Sequence, residues 1–167
     1  MRHEPQIRQA TTEEAERLKA IGETGWETSY AAFIDRPNRE KYLASDFWSV
    51  EHLRDVIECD DCCTLVADAG GIAVGFITIE PVDAGTAELT RLYVNPEYRG
   101  GGLGRALWEA ALPQVRLHEL RAVLVNVFGD NFSGRRFYER LGFELTEETT
   151  TVVGTQTVYD VWYRLEL

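Results

Sequence analysis

A glycine-rich run, Leu92-Tyr93-Val94-Asn95-Pro96-Glu97-Tyr98-Arg99-Gly100-Gly101-Gly102-Leu103-Gly104-Arg105, gathers the residues best equipped for chemistry. An apolar strand pattern enters it and a helical pattern leaves it. Without Cβ atoms, successive glycines let several backbone N–H groups converge on one ligand. A helix N-terminus behind them adds partial positive charge, so the run is built to cradle an anion, with Arg99 placing a full charge at its edge. A triphosphate loop needs Gly-Lys-Ser/Thr at its end, whereas Gly104 is followed by Arg105-Ala106. The dinucleotide spacing Gly-x-Gly-x-x-Gly also fails, because its last position is Arg105 from Gly100 and Leu107 from Gly102. What remains is Arg99-x-x-Gly102-x-Gly104. A second block lies downstream, Asn131-x-x-Gly134-x-x-Phe137-Tyr138-x-x-x-Gly142-Phe143. Tyr138 follows Asn131 by about two helical turns, so its phenol and the Asn131 amide share one side of a helix.

Other reactive side chains offer less. Cys59 and Cys62 form a lone Cys-x-x-Cys beside Cys63, and zinc would need two further ligands at a sensible spacing. The pair follows a helix and enters a strand, which is not the redox arrangement, so the thiols read as free and reduced. His3, His52 and His118 provide no partner pair, and no metal is expected. Asp and Glu number 28 against 17 Lys and Arg, a net charge of −11 and a pI near 4.7. Such a surface repels nucleic-acid phosphates and anionic lipid and attracts cations, amines included. No apolar stretch approaches the ~20 residues of a membrane span. The N-terminus lacks a secretory core, so a cytoplasmic protein is expected.

These groups need elements to hold them. Gln6–Gln9 reads as a short strand, and Thr11 with Glu14 has capping-box spacing before a helix whose face is Ala15, Leu18, Ile21 and Gly25/Trp26. A polar, aromatic-rich connection through Tyr30, Phe33, Pro37 and Tyr42 is expected next, and then a helix capped by Ser49. Strands follow at 63–67, 72–79 and 87–94. The helix after the glycines should bend or end near Pro113. The strand 122–127, a helix opened by Asn131 and closed by Gly142, and a hairpin about Gly154 complete the chain. The order βααβββαβαββ describes one α/β domain over residues 1–167.

The Arg99-x-x-Gly102-x-Gly104 loop resembles the (Arg/Gln)-x-x-Gly-x-(Gly/Ala) pyrophosphate loop of the GNAT N-acetyltransferase superfamily. The second block resembles that family's Asn-x-x-Ala-x-x-(Phe)-Tyr-x-x-x-Gly-Phe, with Gly134 in place of alanine, and the likeness runs over nearly the whole chain. It implies an α+β fold: a mixed central sheet of about seven strands with a splayed pair, flanked by about four helices. It also implies transfer of an acetyl group from acetyl-CoA to an amine in a ternary complex. By the resemblance, the backbone of Leu92, Tyr93 and Val94 holds the pantetheine arm, and the Val94 N–H polarises the thioester carbonyl. Arg99 with the backbone of Gly100, Gly101, Gly102, Leu103 and Gly104 holds the pyrophosphate. Asn131, beside Gly134, bonds the pantetheine amide or serves as a plain helix cap. Arg105 and Arg135 meet the ribose phosphate or remain solvated, the reading favoured for Arg136. Tyr138 stands at the general-acid position, or is a core aromatic. Glu88 stands where a base would, or is an exposed strand glutamate.

For the acceptor, the resemblance points to the first helices and the last hairpin. These carry Trp26, Tyr30, Trp48, Tyr159, Asp160 and Trp162, an aromatic and acidic lining suited to a cation, each aromatic having a core role as its alternative. The reading is acetylation of a small cationic amine. Two others stay open: a protein or peptide acetyltransferase with an open groove, and a non-catalytic acyl-CoA-binding module. The resemblance also leaves room for a homodimer through the C-terminal strands.

Overall fold

A computed structural model describes residues 4–167, so His3 lies outside the described residues. Strand β1 (Gln6–Gln9) leads into the expected capping box, in which the Thr11 N–H donates to Glu14 Oε2 at 2.9 Å. Helix α1 (Ala15–Tyr30) follows, burying Ala15, Leu18, Ile21, Gly22, Gly25 and Trp26 at the three- and four-residue spacing of one helical face. Helices α2 (Arg36–Leu43) and α3 (Val50–Glu58) come next, the latter capped by Ser49, whose Oγ accepts from the His52 N–H at 3.0 Å. The remaining elements are β2 (Cys63–Asp68), β3 (Ala73–Asp83), β4 (Thr86–Val94), α4 (Leu103–Leu117), β5 (Ala122–Phe128), α5 (Phe132–Arg140), β6 (Glu144–Val153) and β7 (Gln156–Glu166).

The seven strands form one sheet in the order β1-β2-β3-β4-β5-β7-β6, antiparallel except for the parallel pair β4–β5. Alternation along the strands divides the core in two. One layer joins Leu65, Ile77, Leu89, Val123, Val125 and Tyr163 to Leu107, Trp108 and Ala111 of α4. The other joins Val66, Phe76 and Val158 to Leu18, Ile21, Trp26 and Trp48 on the side of α1–α3.

Two expectations are corrected. Five helices flank the sheet among the described residues, because the stretch read as a polar connection is α2. That helix has almost no apolar periodicity. It docks through polar groups: Asn38 Nδ2 donates to Gln156 Oε1 at 2.9 Å, and its Oδ1 accepts the Thr155 N–H at 3.0 Å, pinning α2 to the β6–β7 turn. Pro37 sits in its first turn, where a missing N–H costs nothing. Helix α4, expected to bend or end near Pro113, does not end there but runs on to Leu117. Pro113 is exposed and the apolar stripe Leu107, Trp108, Ala111 and Val115 continues past it, so packing offsets the lost hydrogen bond.

Candidate active site

Strands β4 and β5 pair only at Thr86–Ala122, Ala87–Val123 and Glu88–Leu124, although β4 stays paired with β3 as far as Val94–Gly75. The reason lies in the β3–β4 ladder. Thr78 pairs with Arg91 and Ile79 with Leu89, so Thr90 is an extra residue, a bulge that bends β4. Past Glu88 the strands diverge around a cleft of about 420 Å³. Its walls are the facing edges of the two strands, the end of α1 at Ser29 and Tyr30, the glycine loop, and one side of α5. In the diverging part β4 no longer pairs with β5, so polar backbone on that edge is open to an extended ligand.

The glycine loop closes one end. Gly100 and Gly102 have φ of 80° and 79°, a region where side chains are strained, and open space surrounds the position of a Cβ at each. Gly102 caps α4 without a side chain, leaving the first N–H groups of that helix without intrahelical partners. Arg99 lies against this end, its Nε donating to the Val94 carbonyl at 2.9 Å and its Nη2 to Thr28 Oγ1 at 3.0 Å. A converging backbone cradle, a helix N-terminus and a guanidinium together fit an anionic group such as a pyrophosphate.

At the other end stand aromatic hydroxyls. Asn131 caps α5 by accepting the Gly134 N–H at 3.1 Å, and Tyr138 enters the cleft from the same side of that helix. Burial raises the phenol of Tyr138 above its ordinary range, with Tyr93 adding to the effect, so it is a protonated donor at neutral pH. Tyr30 and Tyr93 also line the cleft, and burial raises both. Tyr93 is fixed by Trp26, whose Nε1–H donates to its hydroxyl at 3.1 Å.

On the α1–α3 side, Glu88 faces Glu80 directly across the β3–β4 ladder. Burial raises the Glu88 carboxyl and the charge of Glu80 raises it further. Glu80 is partly neutralised by Arg91 at 3.1 Å, itself 1% exposed and stacked 3.7 Å above the Phe47 ring. Tyr30 meets Phe128 edge-on at 5.0 Å, and Tyr42 stacks on Trp26 at 4.4 Å, so aromatic rings frame this acidic patch.

The cleft thus brings together Leu92, Tyr93, Val94, Arg99, Gly100, Gly104, Asn131, Gly134, Tyr138 and Tyr30. Glu88 stands just outside, at the last paired position before the strands part. Gly101, Gly102 and Leu103 lie on the outer side of the loop, around a separate hollow. Other expected residues sit elsewhere. Trp48 is 0% exposed and fills the core against Gly22, where a Cβ would stand 2.1 Å from its ring. Trp26 is buried behind Tyr93, acting as its support. Tyr159 lies on the opposite face, over Gly129 and hydrogen-bonded to Glu148. Trp162 is half-buried on the acidic side, paired across the ladder with Asn126. Arg135 is occupied by the Tyr163 hydroxyl at 3.0 Å and the Gly129 carbonyl at 3.1 Å, and Arg105 is an exposed partner of Glu109 at 2.7 Å. The sequence reading missed Thr90, Asn126, Tyr42 and Phe128. Asn126 carried a signal, as the one polar side chain in the apolar strand Ala122–Phe128.

Cys62 and Cys63 show no activation. Burial pushes the Cys63 thiol up to about 11 and raises Cys62 further, with Cys59 contributing. Among the described residues, no group of three or more His, Cys, Asp or Glu is placed to hold a metal ion. No helix among them is long and apolar enough to cross a membrane.

The arrangement has counterparts among known proteins. The crystal structure of PaiA N-acetyltransferase from Thermoplasma acidophilum, in complex with coenzyme A, superposes with a TM-score of 0.80 at 25% identity, covering 93% of this chain and 97% of that one. Spermidine N(1)-acetyltransferase of the same organism is 26% identical over 85% of this chain and 89% of its own. A mycothiol acetyltransferase from Nocardiopsis dassonvillei is 33% identical over 85% of this chain, which spans 46% of that longer protein. The family model for the GNAT acetyltransferases matches residues 27–143, which include the splayed strands, the glycine loop and the Asn131–Phe143 block. The chain therefore belongs to the GNAT family of acetyltransferases, which take their acetyl group from acetyl-CoA.

Proposed function

We propose that the protein acetylates a primary amine of a small cationic molecule by direct attack in a ternary complex. The observation that carries this reading is the splay itself: β4 parts from β5 just past Glu88, so an open backbone edge, the Tyr138 phenol and an acidic patch adjoin one cleft. Acetyl-CoA, when bound, supplies an acetyl group activated as a thioester.

The chain's own residues then act as follows. The β4 edge at Leu92–Val94 pairs with the extended arm as an added strand would, and the Val94 N–H faces the oxygen on which negative charge develops. The backbone from Gly100 to Gly104, with Arg99, holds the pyrophosphate. Asn131 spends its Oδ1 on the Gly134 N–H, which leaves its Nδ2 to donate to an amide carbonyl. An alkylammonium has a pKa near 10.4 and must lose a proton before it attacks. Glu88, raised by its surroundings, accepts that proton through water. Tyr138 donates its proton to the departing thiolate.

The spermidine acetyltransferase likeness supports a cationic acceptor, as does the carboxylate pair Glu80–Glu88 within an aromatic frame. The test is thiol release from acetyl-CoA with a panel of polyamines, amino acids, aminoglycosides and peptides. Turnover confined to small amines is expected. Turnover on peptides alone would make this a protein acetyltransferase, and acetyl-CoA binding without turnover on any acceptor would make it a binding module.

A further inference from the structure

The cleft mouth holds one polar pair that the chemistry above leaves unused. Asn126 lines the cleft and is exposed, while Asp160, adjacent on β7, is 4% exposed. Asn126 Nδ2 donates to Asp160 Oδ2 at 2.8 Å and to the Val161 carbonyl at 3.2 Å. Two acceptors therefore fix which way the amide faces. Its two donors are turned to β7, and its Oδ1 remains as an acceptor. Behind it, Asp160 Oδ1 is buried with no hydrogen-bond partner, and among the described residues no cationic side chain forms a salt bridge with this carboxylate. Burial raises the Asp160 carboxyl, so holding it ionised here costs free energy that a cation at Asn126 would offset.

Its position relative to Glu88 says which cation. Asn126 stands two residues beyond Leu124, the partner of Glu88, about 7 Å along the same face of the strand. A carboxylate-backed carbonyl favours the protonated form of an amine beside it. The reacting nitrogen must do the opposite and become neutral, so the Asn126–Asp160 pair suits a nitrogen that stays charged. Resting on the acceptor reading above, the geometry points to an acceptor with at least two amines, an alkyl diamine or polyamine. Asn126 Oδ1 binds its non-reacting ammonium, and Asp160 is the positioning residue and counter-charge behind it.

Calorimetric titration of spermidine into protein saturated with coenzyme A tests this. Wild type should bind. Asn126→Ala and Asp160→Asn should each weaken spermidine about ten-fold, the loss of one hydrogen bond or charge partner to an ammonium, while affinity for coenzyme A stays unchanged. The exchanged pair Asn126→Asp with Asp160→Asn keeps one amide, one carboxylate and the bond between them but loses the donation to the Val161 carbonyl, and should recover part of the affinity that Asp160→Asn loses. That rescue separates recognition from mere folding, which melting temperatures on all variants also report. No spermidine binding by wild type at millimolar concentration would overturn the inference, as would variants that bind like wild type or an exchanged pair no better than Asp160→Asn alone. The acceptor reading would stand in each of those cases if another small amine were acetylated, and would fall only if none were.

Discussion

Two side chains carry separable predictions. Burial keeps the Tyr138 phenol protonated further above neutral pH than an exposed tyrosine, and its proposed work occurs only as the thiolate leaves. Tyr138→Phe keeps the ring that packs edge-on against Phe143 at 5.6 Å and removes only the hydroxyl. Turnover should fall about 10²-fold with acetyl-CoA affinity within two-fold of wild type, the signature of an interaction made in the transition state. Steady-state rates with direct binding measurements decide it; an unchanged rate would return Tyr138 to the role of a core aromatic. Glu88 tests differently. Its folded-state pKa is raised, so folding favours the neutral acid, and stability declines as pH rises from the unfolded value through the folded one. Glu88→Gln should therefore melt higher than wild type near neutral pH, and the difference should vanish at pH below the ordinary carboxylate range. If Glu88 is the base proposed above, the same substitution should abolish the acidic limb of the pH–rate profile, since that base acts only when ionised. Thermal melts and kcat/KM measured across the same pH series examine both consequences.

At the scale of elements, what could be read from sequence tracks which interactions hold each piece. The glycine loop, the Ser49 and Asn131 caps and the β6–β7 hairpin rest on local chemistry, so residue types announced them. Helix α2 rests on Asn38 reaching Gln156 and Thr155 more than a hundred residues away, and a run such as Arg-Pro-Asn-Arg-Glu-Lys gives no periodic sign of that. The same distinction explains the aromatic residues. Trp48 and Tyr159 looked like candidates for a binding wall because the sequence gives their kind; only the sheet's register and the close approaches at Gly22 and Gly129 show that one fills the core and the other lies on the far face. Pro113 failed as a helix stop because α4 is held by its packed stripe, which makes its local cost measurable. Proline in a helix interior costs about 3 kcal/mol relative to alanine, some of it relieved where the freed carbonyl meets water. Pro113→Ala should stabilise the protein by roughly 1–3 kcal/mol, with activity unchanged since the residue is exposed and remote from the cleft lining. Denaturant unfolding would show it, and a loss of stability would mean that the proline ring is itself a packing element.

Over the whole molecule, the net charge of −11 would act with opposite sign on the coenzyme and on the cationic acceptor proposed above. Under the proposed function a cationic acceptor is drawn toward the surface and focused by Glu80 and Glu88 at the sheet face, whereas the polyanionic coenzyme must approach against the same field to reach its proposed cradle at Gly100–Gly104. The fold keeps these requirements apart by placing the glycine loop at one end of the cleft, and the carboxylates on the α1–α3 side of the sheet. Salt screens both effects, since the Debye length is about 10 Å at 0.1 M and about 3 Å at 1 M. Raising ionic strength should therefore lower kcat/KM for a polyamine acceptor while raising or sparing kcat/KM for acetyl-CoA, with kcat itself little affected because bound reactants are already in place. Steady-state kinetics in a salt series, varying one reactant at saturation of the other, separates the two slopes. A neutral acceptor would give no falling slope, and a parallel fall for both reactants would mean that salt acts on the fold instead of on encounter. Opposite slopes would tie the acidity of the whole surface, the first property legible in the composition, to the choice of substrate.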